Sequence, residues 1–346
     1  MPIVDKKWPI CDVVPDSLAE RWRRQQGWRG DGLAKRDWLV ELPAGFAEVV
    51  HETVADRSDA SAAAQRLSDH AFVMQLRLDV EQRLEGGHGF CVLRGIPPTS
   101  DDRLNARVAL AVSLLFGQPV TQTLQGDIVA RVEDRTGRTL EPTKRGHTTS
   151  AELAFHADRA DRVLLYCVRP SRSGGESSVV SSVFLRDEMR REVPHLLEAL
   201  AQPLPEDRRG EQPAHEPPFA LIPVFSDCGG VFVCRYIRRF LQDSCRHAGA
   251  PPLSETAVEA LNYLDALTAR EGVAFSHRLE AGDLQMLNNC VVLHSRTAFV
   301  DDPLAPRLLL RTWLSHRSSR PLPPSFAPLY GSTEAGAVRG GVQQKS

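Results

Sequence analysis

The stretch of this chain best equipped for chemistry is Phe155-His156-Ala157-Asp158-Arg159. Side chains alternate along an extended strand, so His156 and Asp158, two positions apart, project from one face of the backbone. An imidazole beside a carboxylate is a ligand pair for a divalent first-row metal. A second histidine from elsewhere would complete a two-histidine, one-carboxylate face with coordination positions left open. His294 supplies it best: it ends the apolar run of Asn288-Asn289-Cys290-Val291-Val292-Leu293-His294-Ser295-Arg296 and lies 138 positions beyond His156. The following strand, Pro306-Arg307-Leu308-Leu309-Leu310-Arg311-Thr312-Trp313, carries Arg307, Leu309 and Arg311 on one face. Burying an unpaired charge is costly, so two arginines on an apolar strand imply anions that meet them. For Arg311 that anion is either a bound acid or an ion-pair partner within the fold.

The elements that must position these residues are mostly short. Before residue 86 the pattern is helical, over 17–27, 43–55 and 60–84, the last with apolar residues at helical spacing and a Gly86-Gly87 stop. A strand follows at 88–95 and a helix over 100–116. The 136–150 segment, with Gly137, Pro142 and Gly146, is composed like a lid and equally like a plain connecting loop; His147 within it reads as surface by default and as a substrate contact if the segment is a lid. Strands are expected at 127–132, 163–168 and 177–183, a helix over 185–200, an exposed loop at 203–218, a hairpin of 219–225 with 231–236, and an amphipathic helix over 254–271. This succession argues for an antiparallel sandwich or barrel core in one domain with an insertion. Neither a G-x-G-x-x-G after a strand nor a P-loop is present.

Composition removes other classes. With 42% apolar and 25% charged residues the 346-residue chain reads as an ordinary globular protein, and a net charge of −2 offers no electrostatic case for nucleic acid. No apolar run reaches the roughly 18 residues of a membrane span, and the charged N-terminus does not read as a signal peptide, so a cytoplasmic protein is expected. Seven scattered cysteines without a C-x-x-C pair fit reduced thiols, and Cys245 with His247 has no partner pair at zinc-site spacing.

The sequence resembles the taurine dioxygenase and clavaminate synthase family of iron(II), 2-oxoglutarate-dependent oxygenases. The resemblance rests on His156-Ala157-Asp158, Ser173-Gly174-Gly175-Glu176-Ser177, Gly282-Asp283, and His294 followed by Arg307 and Arg311, and it covers roughly residues 89–315. It implies a mainly β fold with flanking helices around a double-stranded β-helix (jelly roll, cupin-like) core. The expected oxygenase domain is 87–317 with a helical insertion at about 184–272; outside the resemblance, the helical pattern makes 1–86 a helical region packing on the core, and Pro, Ser and Gly make 318–346 an irregular tail.

The same resemblance makes His156, Asp158 and His294 the ligands of Fe(II). Arg307 becomes the partner of the 2-oxoglutarate C5 carboxylate, and Ser177 stands where the family often has a threonine. Arg311 is then a second anion clamp, for cosubstrate or substrate. Glu152, four before His156, falls on the ligand face and suits an amine or guanidinium. Arg235, with Tyr236 beside it, corresponds to a pocket wall or else to solvated hairpin surface. The implied reaction is oxidation of a C–H bond by O2, most simply hydroxylation, because halogenating relatives lack the carboxylate that Asp158 supplies. The substrate is expected to be a small amino-acid-like or carboxylate-bearing molecule; desaturation or cyclisation stays open, as does oligomeric state. The reading of another class is a non-catalytic metal-binding jelly roll, which has no need of Arg307.

Overall fold

Arg162–Arg169 and Leu308–Ser315 are apolar runs buried at nearly every position, as expected of strands covered on both faces, and they pair antiparallel along their length. They form the middle of the larger sheet of the computed structural model, which describes residues 16–55, 59–136 and 148–342. Its order is Leu39–Glu41, Phe90–Arg94, Asp283–Asn288, Arg162–Arg169, Leu308–Ser315 and Gln118–Val120, with Ala130–Val132 also on Leu308–Ser315. Only the first pair is parallel. A smaller antiparallel sheet runs Phe275–His277, Ser177–Ser181, Val292–Arg296 and Leu153–His156.

Helices cover both sheets. Phe46–Ala55, Ala60–Ser68, Ala71–Glu85 and Asp102–Phe116 insert Val50, Leu67, Val80 and Val112 against Leu164, Leu284 and Leu310 of the larger sheet. Ser182–Glu192, Pro194–Leu200 and Glu255–Thr268 pack Leu185, Leu196 and Leu261 into the core that holds Val180 and Leu293 of the smaller sheet.

Two helices expected to be continuous are broken. Leu67 and Val73 are both fully buried, yet six helical positions set side chains about 120° apart around one straight helix. The chain turns at Asp69-His70 so that both face the core, and Met74 is left exposed. In the other, Pro194 has no N–H to give and starts a separate helix. The 177–183 strand stops at Ser181, whose side chain caps the following helix through Phe184 N.

The exposed loop expected at 203–218 is a larger correction. Leu204–Asp207 is a strand, buried throughout, paired with Phe219–Ile222, and the hairpin is Phe225–Cys228 with Val231–Cys234. Charges survive burial there because each is paired: Glu206 with Arg235, Asp207 with Arg246 and His247, Arg208 with Glu216. Beyond residue 318 there is little regular structure. Even so, Leu322, Phe326, Leu329 and Tyr330 belong to the main core, so the segment is packed rather than solvated.

Candidate active site

The smaller sheet brings the two histidines together. In its antiparallel pairing His294 stands opposite His156, and the register shifts between His294 and Arg296. The chain after His156 is held from two sides: Ala157 N donates to Tyr236 O at 2.9 Å, and Asp158 N donates to Asn289 Oδ1 at 3.2 Å. Asn289 Nδ2 in turn donates to Ala160 O at 2.9 Å. Asp158 is thereby turned toward both rings, with Oδ1 4.0 Å from His156 Nε2 and Oδ2 3.8 Å from His294 Nε2. One ligand atom from each residue lies within 4.8 Å of the others, the only such His/Cys/Asp/Glu group among the described residues. Cys245 and His247 make none, since His247 meets Asp207 instead.

The donors suit a divalent cation. The Ala154 carbonyl accepts from His156 Nδ1 at 2.9 Å, so that nitrogen carries the hydrogen and Nε2 keeps its lone pair. Burial lowers the pKa of both imidazoles, His294 to about 3 with help from His156, so both are neutral at pH 7. For Asp158, burial favours the neutral acid, but Arg311, then His156 and His294, more than offset it and hold the carboxyl well below its usual range. Two lone-pair nitrogens and an anionic oxygen are a ready-made ligand set.

The two arginines on the Leu308–Ser315 face differ. Arg311 Nη1 lies 3.3 and 3.4 Å from the Asp158 oxygens, its Nε donates to Gln122 Oε1 at 2.8 Å, and its guanidinium lies over Trp313. Arg307 is buried with no carboxylate in ion-pair contact among the described residues: Nη1 has no acceptor, its guanidinium sits over Phe299, and burial lowers its pKa to about 10. The Gly174-Gly175 turn makes this packing possible. Both glycines have φ near +70°, and a Cβ on Gly174 would lie 2.1 Å from Ala298 O, whereas Gly175 passes beside Arg307 Nε. Gly282-Asp283 is structural, for Asp283 accepts two bonds from Arg94.

Two cavities meet at this centre, since His156, Leu153 and Arg311 line both. The smaller, about 50 Å³, holds Ser177, His294, Arg296 and Arg307. Ser177 Oγ donates to Gln285 Oε1 at 2.8 Å. The larger, about 310 Å³, is lined by Glu152, Arg159, Glu206, Arg235 and Leu329 among others. Glu152 is exposed there. Arg235 is not solvated hairpin surface: it is 3% exposed, and its donors go to both Glu206 oxygens and to Ala157 O. Arg159 is likewise paired, with Glu211 at 2.6 Å. His147 and residues 137–147 of the expected lid lie outside the described residues.

Three residues were missed. Arg296 shares its strand face with His294 by the same two-residue alternation that linked Arg307 to Arg311, and that signal was available. Gln122, which seats Arg311, and Glu206, inside a proline- and charge-rich stretch, carried none.

Three donors on one side of a metal position, inside a fold built on two sheets, are the design of the iron(II)- and 2-oxoglutarate-dependent oxygenases. The chain belongs to the taurine catabolism dioxygenase TauD, TfdA family, whose model matches residues 68–313. It is 31% identical over 252 residues to FR-33289 synthase of Streptomyces rubellomurinus, covering 71% of this chain and 74% of that protein. It is 29% identical over 263 residues to L-asparagine oxygenase of Streptomyces coelicolor, covering 68% and 74%. An asparagine oxygenase structure in complex with Fe(II), 2S,3S-3-hydroxyasparagine and succinate shares the fold, with a TM-score of 0.61, 24% identity, and coverage of 80% of this chain and 93% of that one. The chain is thus a dioxygenase of this class, and no helix among the described residues is long and apolar enough to cross a membrane.

Proposed function

We propose that this dioxygenase hydroxylates a C–H bond of a small amino-acid-like or carboxylate-bearing molecule, with His156, Asp158 and His294 holding Fe(II) and Arg307 receiving the C5 carboxylate of 2-oxoglutarate. The observation that carries the reading is a three-donor centre whose two histidines line one small cavity with a buried guanidinium that has no carboxylate within ion-pair distance among the described residues. A structural metal site has no use for that cation. Iron with 2-oxoglutarate, when bound, supplies the oxygen chemistry, with succinate and carbon dioxide as co-products.

The protein's own residues do the rest. His156 and His294 offer neutral nitrogens, and Asp158 stays ionised because Arg311 faces it, so a cation meets no proton competition at neutral pH. Three ligands on one side leave the opposite side for cosubstrate and O2. Arg307 forms a planar fork that matches a carboxylate, and Ser177 adds a hydroxyl to the same cavity. In this reading the larger cavity takes the substrate, Glu152 meeting an amine or guanidinium and Arg235 shaping the wall through Glu206. The support for an amino-acid-like substrate is the kinship with L-asparagine oxygenase.

The facing sheets are read as a double-stranded β-helix, supported by their antiparallel order. The domain reading keeps 1–86 as a helical region, 87–317 as the oxygenase domain with an insertion at 184–272, and 318–346 as a tail. The test of function is anaerobic addition of Fe(II) and 2-oxoglutarate, then O2, with a panel of amino acids and small carboxylates. A charge-transfer absorption and substrate-stimulated succinate are expected. Absence of both from a folded, iron-loaded protein would overturn the reading.

A further inference from the structure

We propose that Arg296 is a second guanidinium for the distal carboxylate of 2-oxoglutarate, acting beside Arg307 and tying the bound acid to the 149–151 segment. The proposal rests on the cosubstrate reading above. Arg296 is 6% exposed and Arg307 5%. Neither has a carboxylate partner among the described residues, and Nε and Nη1 of Arg296 and Nη1 of Arg307 are buried without an acceptor. Both guanidiniums lie over the ring of Phe299, 4.7 and 4.9 Å from its centroid, and both line the small cavity beside His294. Two buried cations sharing one ring repel each other and leave N–H groups unsatisfied, a costly arrangement that an anion between them relieves.

A carboxylate has about four acceptor sites on two oxygens, enough for two guanidiniums. The remaining nitrogen of Arg296 has a different duty. Its Nη2 donates to Thr149 O at 2.8 Å and to Ala151 O, in the backbone just before the Leu153–His156 strand. One guanidinium therefore keeps two nitrogens without an acceptor in a residue that lines the small cavity, and holds the chain leading to His156 with the third.

The test titrates the anaerobic Fe(II) protein calorimetrically with 2-oxoglutarate and with 2-oxobutanoate, which keeps the keto acid and lacks the distal carboxylate. Arg296→Gln is expected to raise the dissociation constant of 2-oxoglutarate about 10-fold or more and that of 2-oxobutanoate by less than about twofold. Arg296→Lys keeps the charge without the two-sided fork and should show a smaller loss confined to 2-oxoglutarate; it carries the test if Arg296→Gln does not fold. Equal weakening for both acids, or no change for either, overturns the role of Arg296. If the unmodified protein does not prefer 2-oxoglutarate, or if Arg307→Gln has no effect, the cosubstrate reading itself fails and this proposal with it.

Discussion

His156 and His294 face each other across an antiparallel strand pair, with ring centroids 4.2 Å apart. Strand register alone makes them neighbours. A slip by one residue would turn His294 to the other side of its sheet, so metal affinity reports on register as well as on ligand identity. His156→Ala, Asp158→Ala and His294→Ala are each expected to give folded proteins whose Fe(II) affinity falls by more than the roughly 10- to 100-fold typical of losing a group that only supports a ligand. Equilibrium dialysis with circular dichroism measures both, and undiminished binding in His294→Ala would place the third ligand elsewhere.

Arg307→Gln removes a guanidinium that has no ion-pair partner among the described residues. Loss of one partner from a buried charge pair costs about 2 to 5 kcal/mol, so the 2-oxoglutarate requirement should rise roughly 30-fold or more. Iron affinity should not change. Titration of the charge-transfer band against 2-oxoglutarate decides it, and an unaltered midpoint would remove Arg307 from the cosubstrate site.

Arg311→Gln should act on the metal first. Its guanidinium lies 3.3 Å from Asp158 and keeps that carboxyl ionised against burial. The variant is expected to bind Fe(II) about 10-fold more weakly, the scale of a lost supporting group, with the deficit shrinking as pH rises and Asp158 ionises again. A variant with native iron affinity and lost product formation would instead make Arg311 a substrate clamp.

Glu206→Gln tests the cavity wall. Arg235 and Glu206 are both almost fully buried and joined at 2.5 and 3.1 Å. Breaking such a pair from one side strands a charge and costs about 3 to 5 kcal/mol. Urea denaturation should show that loss, and a change under about 1 kcal/mol would mean that Arg235 finds a new partner.

A pH dependence follows from His277, packed against Trp38 and Phe275 and held by burial at a pKa of about 4. The unfolded chain takes up a proton on this residue near pH 6.5, whereas the folded protein does so only near 4. Stability is therefore complete above pH 6.5 and declines as pH falls to 4, by at most about 3 kcal/mol from this group. His277→Phe should flatten that part of the curve. An unchanged slope between pH 6.5 and 4 would assign the acid sensitivity to other buried groups, His316 among them.

The candidate ligands and the arginine pair were legible in the sequence because residue type and spacing mark them. Two-residue spacing puts His156 with Asp158 and Arg307 with Arg311, and the fold keeps both pairs together although Asp158 and Arg307 lie just outside their strands. Sheet order, the neutrality of His294 and the division of labour between the arginines were decided only in three dimensions. Arg311 meets Asp158 because the Leu308–Ser315 strand passes that loop, and the Arg307 guanidinium lacks an ion pair among the described residues because the nearby Asp301 accepts from its backbone N–H instead. The 203–218 stretch makes the contrast plainest. Proline and charge argue locally for solvent, but Glu206 and Asp207 are buried because Arg235 and His247 reach them from other segments, while Arg208 finds Glu216 within the stretch itself. Local sequence determines which way a side chain points along its own strand. Whether a charge there is paired or left for a ligand depends on what distant segments bring beside it, since the penalty of burial is set by the partner.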